Sequence, residues 1–495
     1  MLRKVRVWLA GICFALLTLL FLDFTGTIHT YFGWLTKVQF LPALLALHIG
    51  VVLILVVATL IFGRLYCSII CPLGVFQDVA SRFGAMPKGK KNRFRYSKEL
   101  RWLRLAVLAL FIIALVAGVG SVVALLAPYS SYGRIASNLF APIWAAGNNV
   151  LAYFAERRES YMFYEHAIWI RSLSTFVIAA VSFVVIGVLA WRSGRTYCNT
   201  ICPVGTILGY LAKFSLLKPY FDMEKCNSCT LCERNCKASC IDSKAGVIDY
   251  TRCVTCFNCI ETCKKGAMKY GRPAKVAAKA TGGESCDTSK RKAFLATAAV
   301  MATAAAKASA PKVDGGFAIL IDKEAPQRDM HLVPAGAKSA KNFASKCTGC
   351  QLCVSVCPNG VLRPSMALDR VMQPEMSYER GYCRPECTKC SEVCPAGAIS
   401  RITREEKSSV QIGHAVWVKK NCVVLTDDVD CGNCAVHCPV GAIKMVRLDA
   451  DDPTSRRIPA VNTERCIGCG ACENLCPAAP FSAIYVEGNN RHITI

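Results

Sequence analysis

The sequence predicts an α+β multidomain membrane protein in which a four-helix transmembrane bundle is joined to small cysteine-rich domains. Three observations carry this expectation. The 495 residues have a mean hydropathy of +0.34 and are 53% hydrophobic, too apolar for an ordinary soluble chain. There are 31 cysteines, most in runs spaced by two or three residues, which is ligand spacing and not the scattered spacing of a disulfide framework. Finally, "GRLYCSIICPLG" at 63–74 returns as "GRTYCNTICPVG" at 194–205, so the apolar part is built from two parallel copies.

Apolar runs at 6–24, 40–63, 102–127 and 172–191 are each near the roughly 20 residues that a spanning helix needs. The loop between the second and third carries Arg82, Lys88, Lys90, Lys91, Arg93, Arg95 and Lys98, whereas 25–39 has only Lys37. The positive-inside rule then places the N-terminus in the cytoplasm, in a multi-pass protein of the inner (cytoplasmic) membrane. Segment 128–171 would face out, with its aromatic stretch as an interfacial helix. Each copy of G-R-x-Y-C-x-x-I-C-P-x-G follows an even-numbered span. A pseudo-twofold along the membrane normal would bring Cys67, Cys71, Cys198 and Cys202 together, the ligand count of one 4Fe-4S cluster. Redox-active thiols, or thiols that guide a partner's assembly, are the competing reading. Arg64 and Arg195 beside these motifs would offset cluster charge or mark the cytoplasmic interface.

After the fourth span come "CNSCTLCERNC" at 226–236 and "CVTCFNCIETC" at 253–263, the spacing of a two-cluster bacterial ferredoxin. In that arrangement the fourth cysteine of each run completes the other cluster. This predicts Cys226, Cys229, Cys232 and Cys263 on one 4Fe-4S cluster, and Cys253, Cys256, Cys259 and Cys236 on the second. Lys237 and Lys264 stand where proline usually follows, and Cys240 offers a competing ligand. Four more runs begin at 347: Cys347, Cys350, Cys353, Cys357; Cys383, Cys387, Cys390, Cys394; Cys422, Cys431, Cys434, Cys438; and Cys466, Cys469, Cys472, Cys476. Each ends in Cys-Pro, and "AGAIS" and "VGAIK" after the middle two read as short strands. Six ferredoxin-type clusters result, with a possible seventh at the C-x3-C-P motifs. Spacing does not say which runs exchange their fourth cysteine; analogy with four-cluster subunits suggests first with fourth and second with third. Zinc also takes four thiolates, but six runs of this pattern favour iron–sulfur.

The formal charge of +25 does not imply nucleic acid. A cubane with four thiolates carries about −2, so the clusters cancel roughly half of it. Between the two groups, "RKAFLATAAVMATAAAKASAP" at 291–311 has a 14-residue apolar run before Lys307 and "ASA" at 308–310. It is too short to span and suits an export signal, with Arg291 and Lys292 in place of a twin-arginine pair. Domains are expected at 1–215 (transmembrane, with both C-x3-C-P motifs), 216–275 (cytoplasmic two-cluster ferredoxin), 276–340 (linker with the internal signal) and 341–495 (four-cluster ferredoxin).

With those motifs in place, residues 1 to about 275 resemble the NapH-type membrane quinol dehydrogenase subunit, and 290–495 resemble the NapG/MauM-type ferredoxin. The chain reads as a fusion of the two, with the signal retained at the start of the second. The resemblance implies an electron-transfer subunit of a quinol dehydrogenase system. Menaquinol or ubiquinol from the quinone pool would be oxidised at the membrane part and electrons passed to a periplasmic cytochrome or reductase, with the C-terminal domain periplasmic. His48, inside the second span, is the candidate quinone residue; Asp23, His29 and His166 lie near the outer face. Competing readings are a maturation or regulatory ferredoxin for a metalloenzyme, resembling factors for copper-enzyme maturation or nitrous-oxide respiration, and an all-cytoplasmic relay. No Gly-rich dinucleotide loop or P-loop is present, which favours a relay over a self-contained enzyme.

Overall fold

The computed structural model describes residues 1–23, 25–84, 94–160, 162–166, 168–272 and 322–495. The signal-like stretch 291–311 lies outside them. Two of the four expected spans are unbroken helices, Leu2–Leu22 and Leu173–Ser193, both long and apolar enough by length and composition to cross a membrane. The other two are broken, so the expected bundle of four continuous helices is corrected. The second run forms Phe40–Leu45 and Ile49–Phe62, the third Arg101–Val116 and Gly120–Leu126. Both breaks are Schellman caps. Leu47 (φ 56) and Gly118 (φ 74) take the left-handed position, while His48 N–H donates to the Ala43 carbonyl and Val119 N–H to that of Ala114, each at 2.9 Å.

The repeat is visible in the order of elements. Helices Ile49–Phe62 and Leu173–Ser193 end at Gly63 and Gly194, both with positive φ. A one-turn helix follows each, then a helix whose N-cap is a cysteine and whose first residue is proline: Cys71 before Pro72–Phe83, and Cys202 before Pro203–Ala212. Proline is favoured there because its missing N–H would have no helical partner.

Segment 128–171 departs from the expectation: the described residues of its aromatic stretch at 160–170 form no helix, and the helices lie at 128–156. All eight residues of helix Pro128–Ile135 are buried, with Tyr129 and Tyr132 packed on Phe21 at centroid distances of 5.6 and 6.2 Å. A π-helical turn, Ala136–Phe140, joins it to helix Ala141–Glu156.

The described strands form two-stranded antiparallel ladders. Lys218–Phe221 pairs with Met268–Gly271, closing the two ends of the expected 216–275 domain on each other. In the C-terminal part Val410–Trp417 pairs with Ile484–Thr494, and Leu362–Pro364 with Pro374–Met376. "VGAIK" lies on strand Ile443–Arg447, paired with Arg457–Val461, whereas "AGAIS" forms no strand.

The two cysteine-rich units sit at opposite ends of the helices. Near the start of Leu2–Leu22, Arg3 pairs with Glu261; just beyond its end, the Thr25 carbonyl accepts from Lys389 Nζ at 3.4 Å. Those 21 residues rise about 30 Å. Helix Ile49–Phe62 repeats this relation in reverse. Ala46, before it, touches Gly397, and the Phe62 carbonyl at its end accepts from the Tyr270 hydroxyl at 3.1 Å.

Candidate iron–sulfur sites

The pseudo-twofold places the C-x3-C-P cysteines together, each 3–4% exposed. Cys71 lies within electrostatic reach of Cys67 and Cys198, and Cys202 within reach of the other three. Each half holds the other's loop. Arg64 donates to the Cys198 carbonyl (3.3 Å) and points Nη2 at Cys67 Sγ (3.8 Å); Arg195 donates to the Cys67 carbonyl at 2.6 Å. The arginine of each motif is thus explained by the crossed contact, and the glycine before it by its positive φ. Two donors aim at sulfur, Gln77 Nε2 at Cys198 Sγ and Gly205 N–H at Cys202 Sγ, both 3.2 Å. Such donors offset the charge of a bound thiolate.

The halves differ at several positions, one of which ties the bundle to the ferredoxin unit. Partly buried Asp78 pairs with Arg6, Arg195 (2.7 Å) and Lys237 (2.9 Å), while its counterpart, Gly209, packs on the Thr251 carbonyl. This explains Lys237 in place of the usual proline. It ties the ferredoxin unit to the bundle through its side chain, and its carbonyl accepts from Arg195 N–H at 2.8 Å.

In the unit 216–275 the exchange of fourth cysteines is visible for one set: Cys259 lies in electrostatic reach of Cys256, Cys253 and Cys236. Cys232 is coupled to Cys226 and Cys229. Burial raises the Cys232 thiol to about 11, so a thiolate there needs the positive charge of a metal. Cys240 lies 3.5 Å from Cys236, and that hydrogen bond lowers Cys236 to about 7.

The C-terminal cysteines group differently from the analogy. Cys353 is coupled to Cys350, Cys347 and Cys394, and Cys390 to Cys383, Cys387 and Cys357, so the first run exchanges with the second. Cys434 is coupled to Cys431, Cys422 and Cys476, and Cys469 to Cys466 and Cys438, so the third exchanges with the fourth. Two cavities bear this out. One is lined by Cys357, Cys383, Cys387 and Cys390, the other by Cys422, Cys431, Cys434 and Cys476. Neither set belongs to a single run, and each encloses space. A tetrahedral zinc would draw four sulfurs to about 3.8 Å from one another; among the described residues no three Cys, His, Asp or Glu side chains converge on a single-ion site. Sequence reasoning missed buried Lys407, whose Nζ lies 3.2 Å from Cys383 Sγ and donates to the carbonyls of Arg384 and Cys387.

The quinone candidates separate. His48, expected inside the second span, is exposed at the break between two helices. Asp23 serves the backbone, accepting from the N–H groups of Gly26 and Ile28 (2.8 Å each) and holding His29 Nδ1 at 3.3 Å. His166 lines a cavity of about 200 Å³ with Asn138, Trp169, Arg171 and Phe176, beside the π-helical turn. Burial and nearby Arg171 push His166 below its ordinary value, and Arg171 lies in electrostatic reach of Cys353 and Cys357.

Comparison with known families agrees with these sites. The family described as "4Fe-4S binding domain" matches residues 43–92 and 175–220, which hold the two C-x3-C-P motifs, and "4Fe-4S dicluster domain" matches 346–398 and 429–479. The first dicluster match joins the first two C-terminal runs, as the thiol grouping does. Among curated proteins, the methylamine utilization ferredoxin-type protein MauM of Methylorubrum extorquens is 30% identical over 150 residues, 29% of this chain and 67% of that protein. The ferredoxin-type protein NapG of Escherichia coli is 29% identical over 154 residues, 30% of this chain and 66% of that protein. An uncharacterized protein of Methanocaldococcus jannaschii is 35% identical over 98 residues, and the chain spans 39% of its length. No solved structure matches.

Proposed function

We propose, from a chain that belongs to the 4Fe-4S ferredoxin-type family of MauM and NapG, that this protein is a membrane-bound relay passing electrons from quinol to a periplasmic acceptor. The observation that carries the reading is the exchange of cysteines between paired runs, which serves to hold one-electron centres close together. When bound, 4Fe-4S clusters accept and give single electrons. Cys226, Cys229, Cys232 with Cys263, and Cys253, Cys256, Cys259 with Cys236, would hold two. The four sets at 347–476 would hold four more, and Cys67, Cys71, Cys198 and Cys202 one. The cavity beside His166 suits a quinol headgroup, with apolar walls for the ring and a neutral imidazole to take a proton. In this reading the protein lies in the inner membrane with the N-terminal ferredoxin unit cytoplasmic, which the two helices long and apolar enough to cross support.

The test is anaerobic purification of the full chain with iron and labile sulfide counted, followed by addition of a water-soluble quinol. Support requires about four irons per four-cysteine site and bleaching of the visible absorbance by quinol. Zinc in place of iron ends the electron-transfer reading, and iron without quinol bleaching ends the quinol part of it.

A further inference from the structure

The two ferredoxin units lie at opposite ends of the helices, and a relay that used only one end would leave the other idle. The contacts between them trace a route. From the N-terminal unit, Cys253 lies in electrostatic reach of Arg64. That guanidinium donates to the Thr251 carbonyl (3.1 Å) and reaches Cys67 Sγ. Tyr66 is buried and in reach of three of the same four thiols, Cys67, Cys71 and Cys202. Tyr129 is in reach of Tyr66 and also of Cys350 and Cys394, which belong to the C-terminal unit.

Packing holds this second unit against the bundle core. A Cβ on Gly133, one turn beyond Tyr129, would lie 2.5 Å from the Cys350 carbonyl, so only glycine allows the approach. Asn138 Nδ2 donates to Gln351 Oε1 at 2.8 Å. The route continues outward, where Cys383 N–H donates to the Cys469 carbonyl at 2.9 Å, joining the two cysteine pairs of the C-terminal unit. Helix Ile49–Phe62, at 14 residues, and the broken neighbours are short for a span, which lets both units approach the central thiols.

We propose that the C-x3-C-P thiols form the centre of one continuous path, so that the N-terminal ferredoxin unit exchanges electrons with the C-terminal unit directly through the bundle. Each transfer moves one electron: a one-electron reductant at one end is oxidised, a one-electron oxidant at the other is reduced, and no proton crosses with it. The proposal rests on the reading of the cysteine sets as cluster sites, but it requires no mobile quinone between the two faces.

The experiment reconstitutes the full holoprotein into quinone-free vesicles with ferricyanide trapped inside, then adds dithionite outside. The path predicts decolourisation faster than in protein-free vesicles by at least an order of magnitude. It also predicts return to the protein-free rate in Cys67→Ser/Cys198→Ser protein that keeps the iron of its other sites. Decolourisation that survives this variant overturns the proposal. So does wild-type protein whose clusters bleach with dithionite in detergent yet which leaves the trapped ferricyanide coloured. That second result decides the matter even where the variant does not fold, and it leaves the iron–sulfur reading intact; protein without iron–sulfur absorbance overturns both.

Discussion

Lys237 shows what a single departure from a motif can signal. The sequence shows only a lysine where the run would end in proline. Its partner Asp78 is remote in the chain, and nothing in the local pattern points to it. In the fold Asp78 lies among Arg6, Arg195 and Lys237. Removing one cation from this group is tolerable; removing the anion leaves buried guanidiniums uncompensated. Lys237→Ala should therefore cost about 2 kcal/mol, the worth of a charged hydrogen bond, and Asp78→Asn about 3–5 kcal/mol. Thermal unfolding in detergent, followed by visible absorbance, checks the order, and a larger loss for Lys237→Ala would sink the account. His48 offers the opposite case. Exposed at a helix break, it does not line the cavity that holds His166, so His48→Ala should leave the rate of quinol bleaching unchanged. A large loss there would return the quinol to the second helix and away from His166.

At the level of elements, spacing told what binds but not who shares it. A C-x2-C-x2-C run constrains its own loop, whereas the fourth ligand comes from whichever run packs against it, and packing is set by ladders and helix faces far along the chain. The analogy chose first with fourth; the fold pairs neighbours, with Cys394 beside Cys347–Cys353 and Cys476 beside Cys434. Residues that share one centre act as a unit, and their effects do not add. Cys350→Ser/Cys394→Ser should lose no more iron than the more damaging single variant. Cys350→Ser/Cys476→Ser should lose the sum of its two singles, because those cysteines serve separate centres. Additive loss in the first pair would restore the longer-range exchange. The helix breaks were similarly half legible. Gly118 is a usual residue for a left-handed cap, but Leu47 adopts the same geometry without any such mark, and hydropathy alone ran both segments on as continuous helices.

For the whole molecule, the internal repeat, the composition and the family resemblance were enough to expect a bundle with one ferredoxin unit inside and one outside, but not to show how the two connect. The sequence left a gap, with cytoplasmic and external clusters separated by a hydrocarbon core of about 30 Å and no haem motif between. The fold narrows it from both sides. Helices shortened by Schellman caps, a buried segment at 128–135 and the cysteine-capped half-helices put four thiols between the units. The arrangement makes a prediction about topology. If Leu2–Leu22 crosses, then Arg3, paired with Glu261, and Thr25, bonded to Lys389, lie on opposite faces. The positive-inside rule, applied to the basic loop at 82–98, predicts that the first face is inside. A tag after Ile495 should then be digested by protease in intact spheroplasts while one before Met1 survives until the membrane is opened. Protection of both would mean that the helices do not cross between the units, and the bundle would be packing one ferredoxin array on another within the cytoplasm. Digestion of the C-terminal tag alone would put the two units on opposite sides of the bilayer with the four thiols between them, the geometry that a path through the bundle requires.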